Sequence, residues 1–456
     1  MDIVRRVDRR LLLAGAAAFL ATAACYLVFI LTHTMDRWLA PVDLYVYRLG
    51  GDVVAQLAPG YRPGLGAPLY EWPGYGLKFT YTPFAAVAFT VLALPAWGVV
   101  QAVSVVLNIL AFVTTIWVTL GALGYRASLR RLGGTLLLAA VLFWTEPVQR
   151  TLYLGQVELL LMALVLWDMG QPDRRWWKGA GVGIAAGIKL VPLIFIPYLL
   201  LTRRYRQAVV AAGTFLGTVL VGFAVRPADS RAWWLHGLFL KGSRTGFVGW
   251  EGNQSLQGLI TRLTGSIAAG QPIWLAVAAA TLVVGVLSAA AINRAGYPVA
   301  GIVTCALTGL LVSPISWDHH WVWIVPGVTI LACLGLRARG RMRWAWLTGA
   351  ALVTGLFGAW PGFLWGQPID LGAFSLGFIW APPNTPPGTF ARVGDRPSFA
   401  EYHWAGWQLV AGNLYVLAGL AALIVIVVLA VRSRKAPDPA STQAVRADKP
   451  VPVVSR

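Results

Sequence analysis

Long apolar runs, separated by short basic or aromatic clusters, set the organisation of this chain. Residues 11–32 are almost wholly apolar, and at 1.5 Å per residue they can cross a hydrocarbon layer about 30 Å thick. Further runs occupy residues 81–120 with a break at Pro95, then 135–144, 152–167, 207–225, 273–292, 299–312, 344–359 and 409–431, with another starting near Trp321. The pattern predicts an all-α, polytopic membrane protein with roughly 11–13 membrane segments of uneven length. No tandem repeat and no pair of matching halves is visible.

The polar clusters orient these segments. Arg5, Arg6, Arg9 and Arg10 precede the first run, which is too long for the apolar core of a signal peptide and reads as the first membrane helix. Arg126, Arg130 and Arg131, then 173–178, 203–206, Arg294, 337–343 and 432–435 recur at run ends, as cytoplasmic loops do. Residues 33–80 then fall outside, as a Gly-, Pro- and Tyr-rich segment in which 61–66 cannot be regular. Keeping Arg126, Arg130 and Arg131 inside requires an odd number of crossings over 81–120. The clusters at 173–178 and 203–206 lie too close for two full crossings, so two half-helices meeting near residues 189–192 are expected. Residues 145–150 read as an outer loop, and 226–271 as a longer one. Residues 1–435 form one transmembrane domain; 436–456 are polar, contain proline and read as a disordered cytoplasmic tail.

Composition agrees. The 456 residues are 57% hydrophobic and 12% charged, against about 25% charged in soluble domains. The net charge of +19 resides in the loop clusters, so no soluble basic face is available for nucleic acid. Cys25, Cys305 and Cys333 lie inside apolar runs without metal or disulfide spacing and read as small buried hydrophobes.

The candidate chemistry gathers on one side. Asp43, Glu146, Gln156, Asn253, Gln254, Asp318, His319 and His320 all fall at outer run ends or outer loops, and Lys189 joins them if its helix is broken. Charges at membrane depth are costly and are usually functional. Each has a plainer explanation: Lys189 could snorkel, Asp318 could cap a helix, Gln156 could pack helices, and Asn253 and Gln254 could be turn polarity. His319 and His320 could sit in an interfacial belt with Trp317, Trp321 and Trp323, and Glu146 could be an ordinary loop carboxylate. No DxD pair, no His spacing of a helical zinc site, no Walker loop and no Rossmann glycine pattern occurs. No metal and no cofactor is therefore expected, and a sugar donor reached through the lipid, such as a polyprenyl phosphate sugar, is the natural partner.

Six runs occur in one order: Val42-Asp43-Leu44-Tyr45-Val46-Tyr47-Arg48, Phe79-Thr80-Tyr81-Thr82-Pro83-Phe84, Gly155-Gln156-Val157-Glu158-Leu159-Leu160, Gly187-Ile188-Lys189-Leu190-Val191-Pro192, Gly252-Asn253-Gln254-Ser255-Leu256 and Ser316-Trp317-Asp318-His319-His320. Together they resemble the actinobacterial polyprenyl-phosphate-mannose-dependent α-(1→2)-mannosyltransferases of the GT-C superfamily, over about residues 10–335. The resemblance implies a plasma-membrane enzyme with its active site on the outer face. Such an enzyme performs metal-independent, inverting transfer of mannose to a mannosylated glycolipid or lipoglycan acceptor. Asp43 would then be the general base. His319, His320 and Lys189 would bind the donor phosphate, and Gln156, Asn253, Gln254 and Tyr47 would contact sugar or acceptor. An arabinofuranosyltransferase of the same donor type remains open, although its paired acids are absent, since Val42 precedes the single Asp43. A lipid-linked sugar flippase or transporter is the third reading, and charges clustered at one surface disfavour it.

Overall fold

In a hydrocarbon layer each backbone polar group must be satisfied within its own segment, and the apolar runs of this chain accordingly fold as helices. A computed structural model describes residues 2–32, 40–57, 68–71, 78–241, 244–361, 364, 376–385 and 399–435. Among them, extended pairing is limited to two isolated bridges, Thr145 with Gly358 and Asn253 with Trp317. Among the described residues six helices are long and apolar enough to cross a membrane, or seven if a bent pair counts as one span. The chain is an all-α multi-pass membrane protein. Shorter apolar helices at Pro83–Leu92, Val191–Leu201 and Pro298–Val312 lie beside these spans, as segments of uneven length should. Segment 61–66 and the tail 436–456 lie outside the described residues.

The first helix, α1 (Asp2–Thr32), begins well before residue 11, since no Gly or Pro opposes helix among the basic residues that lead into it. It packs along α5 (below), where a Cβ on Gly133 would come within 2.7 Å of the Leu11 and Leu12 backbone. Small residues let membrane helices approach this closely. Cys25 on α1 is exposed, unlike buried Cys305 and Cys333, so the expectation of a buried thiol fails there. It lies near Leu27 and Val28, which are also exposed, on a surface that suits lipid.

Asp43 stands on a helix rather than in a loop. Helix α2 (Val42–Val54) buries Leu44, Val46, Tyr47, Leu49 and Val53 against α3 (Pro83–Ala88) and the turn Phe89–Leu92 that follows. Then α4 (Trp97–Ala122) is one full-length span, and the expected break at Pro95 lies just ahead of it. Ser128 caps α5 (Leu129–Leu142) by accepting from Arg131 N at 3.2 Å.

Residues 145–150, expected as a loop, begin α6 (Glu146–Leu154). Pro147 in the first turn loses no bond there, and Glu146 faces the positive end of the helix dipole. The chain then turns by 115° into α7 (Glu158–Met169). Gly155 makes the corner with φ of +68°.

At the far end of α7, Asp168 accepts from Gly179 N at 3.0 Å and Val182 N at 3.1 Å, starting α8 (Ala180–Ile188). The helix stops at extended Lys189 (φ −138°, ψ 129°) and resumes through the turn Val191–Ile194 as α9 (Phe195–Leu201). The break thus falls where the two half-helices were expected to meet. After α10 (Tyr205–Val225), the expected outer loop contains α11 (Leu256–Thr264), and α12 (Ile267–Arg294) begins at its Ser266 cap. Helix α13 (Pro298–Val312) leads to the tight turn Asp318–Trp323, which runs directly into α14 (Ile324–Arg337). Helices α15 (Gly340–Leu356) and α16 (Leu414–Lys435) complete the bundle.

The Gly155 corner sets the direction of α7 relative to α2. A Cβ there would lie 2.6 Å from the Leu44 Cβ and 3.2 Å from the Pro41 Cβ, and an L-residue at this φ costs about 1–2 kcal/mol even without a clash. Gly155→Ala should lower the thermal unfolding midpoint in detergent, and an unchanged midpoint would show that the corner tolerates a side chain.

Candidate active site

Four local features converge at one end of the bundle: the first turn of α2, the corner between α6 and α7, the break after α8, and the turn Asp318–Trp323. Asp43, second residue of α2, is half-buried. The Gln156 amide, His319, Lys189 and Arg150 are its polar and ionisable neighbours. Burial pushes the Asp43 carboxyl above the ordinary carboxylate range, while His319, the Gln156 amide, Lys189 and Arg150 each pull it back.

Gln156 is held in turn. Its Oε1 accepts from the Tyr47 hydroxyl at 2.5 Å and from the Tyr81 hydroxyl at 3.3 Å, and the two hydroxyls lie 2.8 Å apart. Tyr47 is fully buried and stacks on Phe89, with ring centroids 4.6 Å apart. Both residues were expected to touch sugar or acceptor, but these protein contacts occupy the Tyr47 hydroxyl and the Gln156 carbonyl. They form one hydrogen-bonded group beside Asp43.

The broken helix delivers Lys189. Its Nζ bonds Glu158 Oε1 and lies 2.8 Å from His320 Nε2, which is 3.1 Å from the same Glu158 oxygen. The Tyr81 ring lies beneath it at 5.7 Å. His319 stands edge to face with His320, centroids 4.7 Å apart. Its Nδ1 is 3.0 Å from Asp318 Oδ1, and its Nε2 is buried without a hydrogen-bond partner among the described residues. Asp318 also meets Arg150 Nε at 3.2 Å through its other oxygen. Arg150 is buried, with its guanidinium 5.0 Å from the Trp380 ring.

Glu146 is no ordinary loop carboxylate. It is fully buried, accepts from the Tyr415 hydroxyl at 2.9 Å and from Trp380 Nε1 at 3.4 Å, and lies beside Asp318 and Arg150. Asn253 and Gln254 depart further from expectation. The Asn253 amide donates to the Val248 and Pro314 carbonyls at 2.9 and 3.2 Å, and its oxygen accepts from Ser316 N at 3.0 Å. Gln254 donates to the Glu251 and Gly412 carbonyls at 2.6 and 2.8 Å and accepts from Tyr415 N at 3.1 Å. Both side chains are fully buried and saturated by backbone. Their amides tie together the loop that presents Asp318.

Glu158, Arg150 and Tyr81 were not singled out from sequence. Glu158 and Tyr81 lie inside two of the six ordered runs, which is the signal that could have found them. Arg150 carried none, because it read as a loop charge. Glu158, His319 and His320 offer ligand atoms within 4.8 Å of one another, a spacing that could hold a cation. The Lys189 amine, bonded to both Glu158 and His320, already occupies that space.

Residues 79–314 match the family model described as Glycosyltransferase family 87. The chain belongs to glycosyltransferase family 87. It is 30% identical, over 97% of its length and 96% of the relative's, to a Mycobacterium tuberculosis protein named polyprenol-phosphate-mannose-dependent α-(1-2)-phosphatidylinositol mannoside mannosyltransferase. A second M. tuberculosis protein, named as the corresponding phosphatidylinositol pentamannoside mannosyltransferase, is 36% identical over 67% of this chain and 70% of its own. Among solved structures, ArnT from Cupriavidus metallidurans bound to undecaprenyl phosphate aligns with a TM-score of 0.42 and 17% identity, over 88% of this chain and 76% of its own. The family 87 match contains Glu146, Arg150, Gln156, Glu158 and Lys189. Asp43 and the Asp318–His320 turn flank it, and the longer alignment to the first relative spans most of the chain.

In this glycosyltransferase Arg150 pairs with the buried Asp318 carboxylate. Removing one member of a buried ion pair typically costs about 3–5 kcal/mol. Arg150→Met should therefore destabilise the protein strongly, and adding Asp318→Asn should recover part of the loss. Additive effects in a double-mutant cycle of thermal stability would show that the two groups do not interact.

Proposed function

We propose that this family 87 enzyme transfers mannose, with inversion, from a polyprenyl phosphate mannose donor to a mannosylated glycolipid, forming an α-(1→2) bond on the outer face of the plasma membrane. The observation that carries this reading is the meeting of one isolated base, Asp43, with a cationic and histidine group formed by Lys189, His319 and His320. The names of the mycobacterial relatives favour mannose over arabinofuranose, and support a phosphatidylinositol mannoside as the acceptor.

The chemistry follows from charge. An acceptor hydroxyl attacks the anomeric carbon from the side opposite the lipid phosphate, and Asp43 takes its proton as the bond forms. The carboxylate must be ionised to do so, and the His319, Lys189 and Arg150 neighbourhood offsets part of the effect of burial. Negative charge grows on the departing phosphate. Lys189 and the unpartnered Nε2 of His319, when protonated, can meet it in a site whose donors are already oriented. Glu158 holds Lys189 and His320 in place, and Asp318 holds His319. Gln156, Tyr47 and Tyr81 keep Asp43 aimed. When protonated, these side chains supply the charge that a metal would otherwise bring, so the reading requires no metal.

Asp43→Asn should lower transfer from polyprenyl phosphate mannose by about 10²–10⁴-fold, the usual contribution of a general base. In the wild type, activity should fall on acidification through a pKa above the ordinary value of about 4, because the raised Asp43 carboxyl reprotonates early. Undiminished transfer by the variant, or transfer only from an arabinofuranosyl donor, would overturn the assignment.

Sidedness has its own test. Lys241 is exposed in the segment that joins α10 to α11, and Arg174 is exposed at the other end of α7. A cysteine at position 241 should react with an impermeant thiol reagent on intact cells, and one at 174 only after permeabilisation, both in a background with Cys25 replaced. The reverse pattern would place the Asp43 cluster at the cytoplasmic face.

A further inference from the structure

At the opposite end of α7 and α8 from Asp43 lies a second organised site. Helix α7 runs from Glu158, in the reaction centre, to Met169, a separation of roughly 16 Å at 1.5 Å per residue. The connection to α8 there packs beside the start of α10 and forms an open recess of about 310 Å³ lined by Arg174, Arg175, Trp176 and Trp177.

The loop is rigidly built. Lys178 is buried and donates to the Gln171 carbonyl at 2.5 Å and to Asp173 Oδ1 at 2.7 Å. The same Asp173 oxygen accepts from Gln207 Nε2 of α10 at 2.9 Å. Trp177 stacks on Trp167 with centroids 5.2 Å apart, and Arg206 reaches the Arg174 carbonyl at 3.5 Å. The one acid of residues 170–210 is thus committed to Lys178 and Gln207. Arg174, Arg175, Arg203, Arg204 and Arg206 remain as a concentrated positive charge. Trp176 is 78% exposed, and Trp167 and Tyr205 are also exposed.

We propose that this face binds the phosphate headgroup of an anionic phospholipid, in the leaflet opposite the Asp43 cluster. Arg174 and Arg175 hold the phosphodiester oxygens, and the indole of Trp176 lies along the glycerol and upper acyl region. Three observations select a lipid. The apolar helices α7, α8 and α10 all end at this face, so it sits at headgroup depth. Exposed tryptophan and tyrosine suit the bilayer interface, where an apolar body and a polar edge are both satisfied. The surplus charge is of the sign and density that basic pockets at helix ends use for acidic headgroups. The site shares no residue with the reaction centre, so it stands or falls independently of the proposed transfer.

The test uses the full-length protein in phosphatidylcholine nanodiscs containing a minor fraction of phosphatidylglycerol, with retained lipid counted by native mass spectrometry after release into mild detergent. Wild type should retain phosphatidylglycerol over phosphatidylcholine, and Arg174→Gln/Arg175→Gln should reduce that preference roughly tenfold or more, as expected for two arginines near an anionic surface. A variant at a separate basic cluster, Arg339→Gln/Arg341→Gln, should keep it. Phosphatidylglycerol with brominated acyl chains should quench tryptophan fluorescence in the wild type, and quench less in Trp176→Leu. Equal retention by wild type and the Arg174/Arg175 variant, or no preference in the wild type, would overturn the proposal. Displacement of the lipid by millimolar inorganic phosphate as effectively as by added phosphatidylglycerol would show a free-anion site instead. A thermal midpoint for each variant separates loss of binding from loss of folding.

Discussion

A lysine set among apolar helices, with its side chain 19% exposed, is the constraint around which this glycosyltransferase is arranged. Lys189 cannot remain charged there without partners, and the structure supplies them from two other elements: Glu158 at the start of α7 and His320 in the turn before α14. Each partner imposes geometry. Glu158 reaches Lys189 only because α6 and α7 meet at a sharp corner, and that corner needs the positive φ of Gly155. Lys189 reaches Glu158 only because α8 stops short and leaves it in extended backbone. The broken helices are thus not defects in the bundle. They bring charged side chains from three segments to one point while the remaining helices stay apolar.

A second charged layer lies behind the first. Arg150 and Asp318 form a buried pair, Glu146 joins them, and Tyr415 and Trp380 bind Glu146 from the C-terminal region. Asp318 orients His319, and His319 acts electrostatically on Asp43. The C-terminal third of the chain carries no motif that sequence reading could name, yet through Glu146 it bears on the position of His319. Gln254 ties the same region to the Ser316–Asp318 loop by accepting from Tyr415 and donating to Gly412.

Much of this was legible in the chain, for definable reasons. Apolar run length gave the membrane class and the long spans, and the spacing of basic clusters required the break near Lys189. The ordered short runs indicated the family. Loops and corners were read less well. Asp43 and Glu146 looked like loop residues because helices as short as α2 and α6 carry little hydrophobic periodicity, and their stability comes from packing partners distant in sequence. Asn253 and Gln254 looked like ligand contacts because an amide in a polar run gives no sign of where its bonds go. Arg150 was unreadable for a related reason: burial and an acid from residue 318 are tertiary facts, and an arginine near other outer-loop residues is the commonest kind of charge in such a protein.

The two ends of α7 illustrate how one helix can serve two surfaces with opposite demands. At Glu158 the carboxylate is matched to a lysine and a histidine inside the protein, so the local charge is nearly balanced and held fixed. At the other end, Asp168 is consumed in starting α8 and Asp173 in holding Lys178, which leaves several arginines facing outward. The first arrangement suits a reaction in which charge appears transiently and must be met without rearrangement. The second suits an interface where the balancing charge comes from outside the chain. The difference does not lie in the residue types, since both ends contain acids and bases within a few positions. It lies in which of them the fold pairs internally, and that is decided by the corner at Gly155 and by the cap that Asp168 provides.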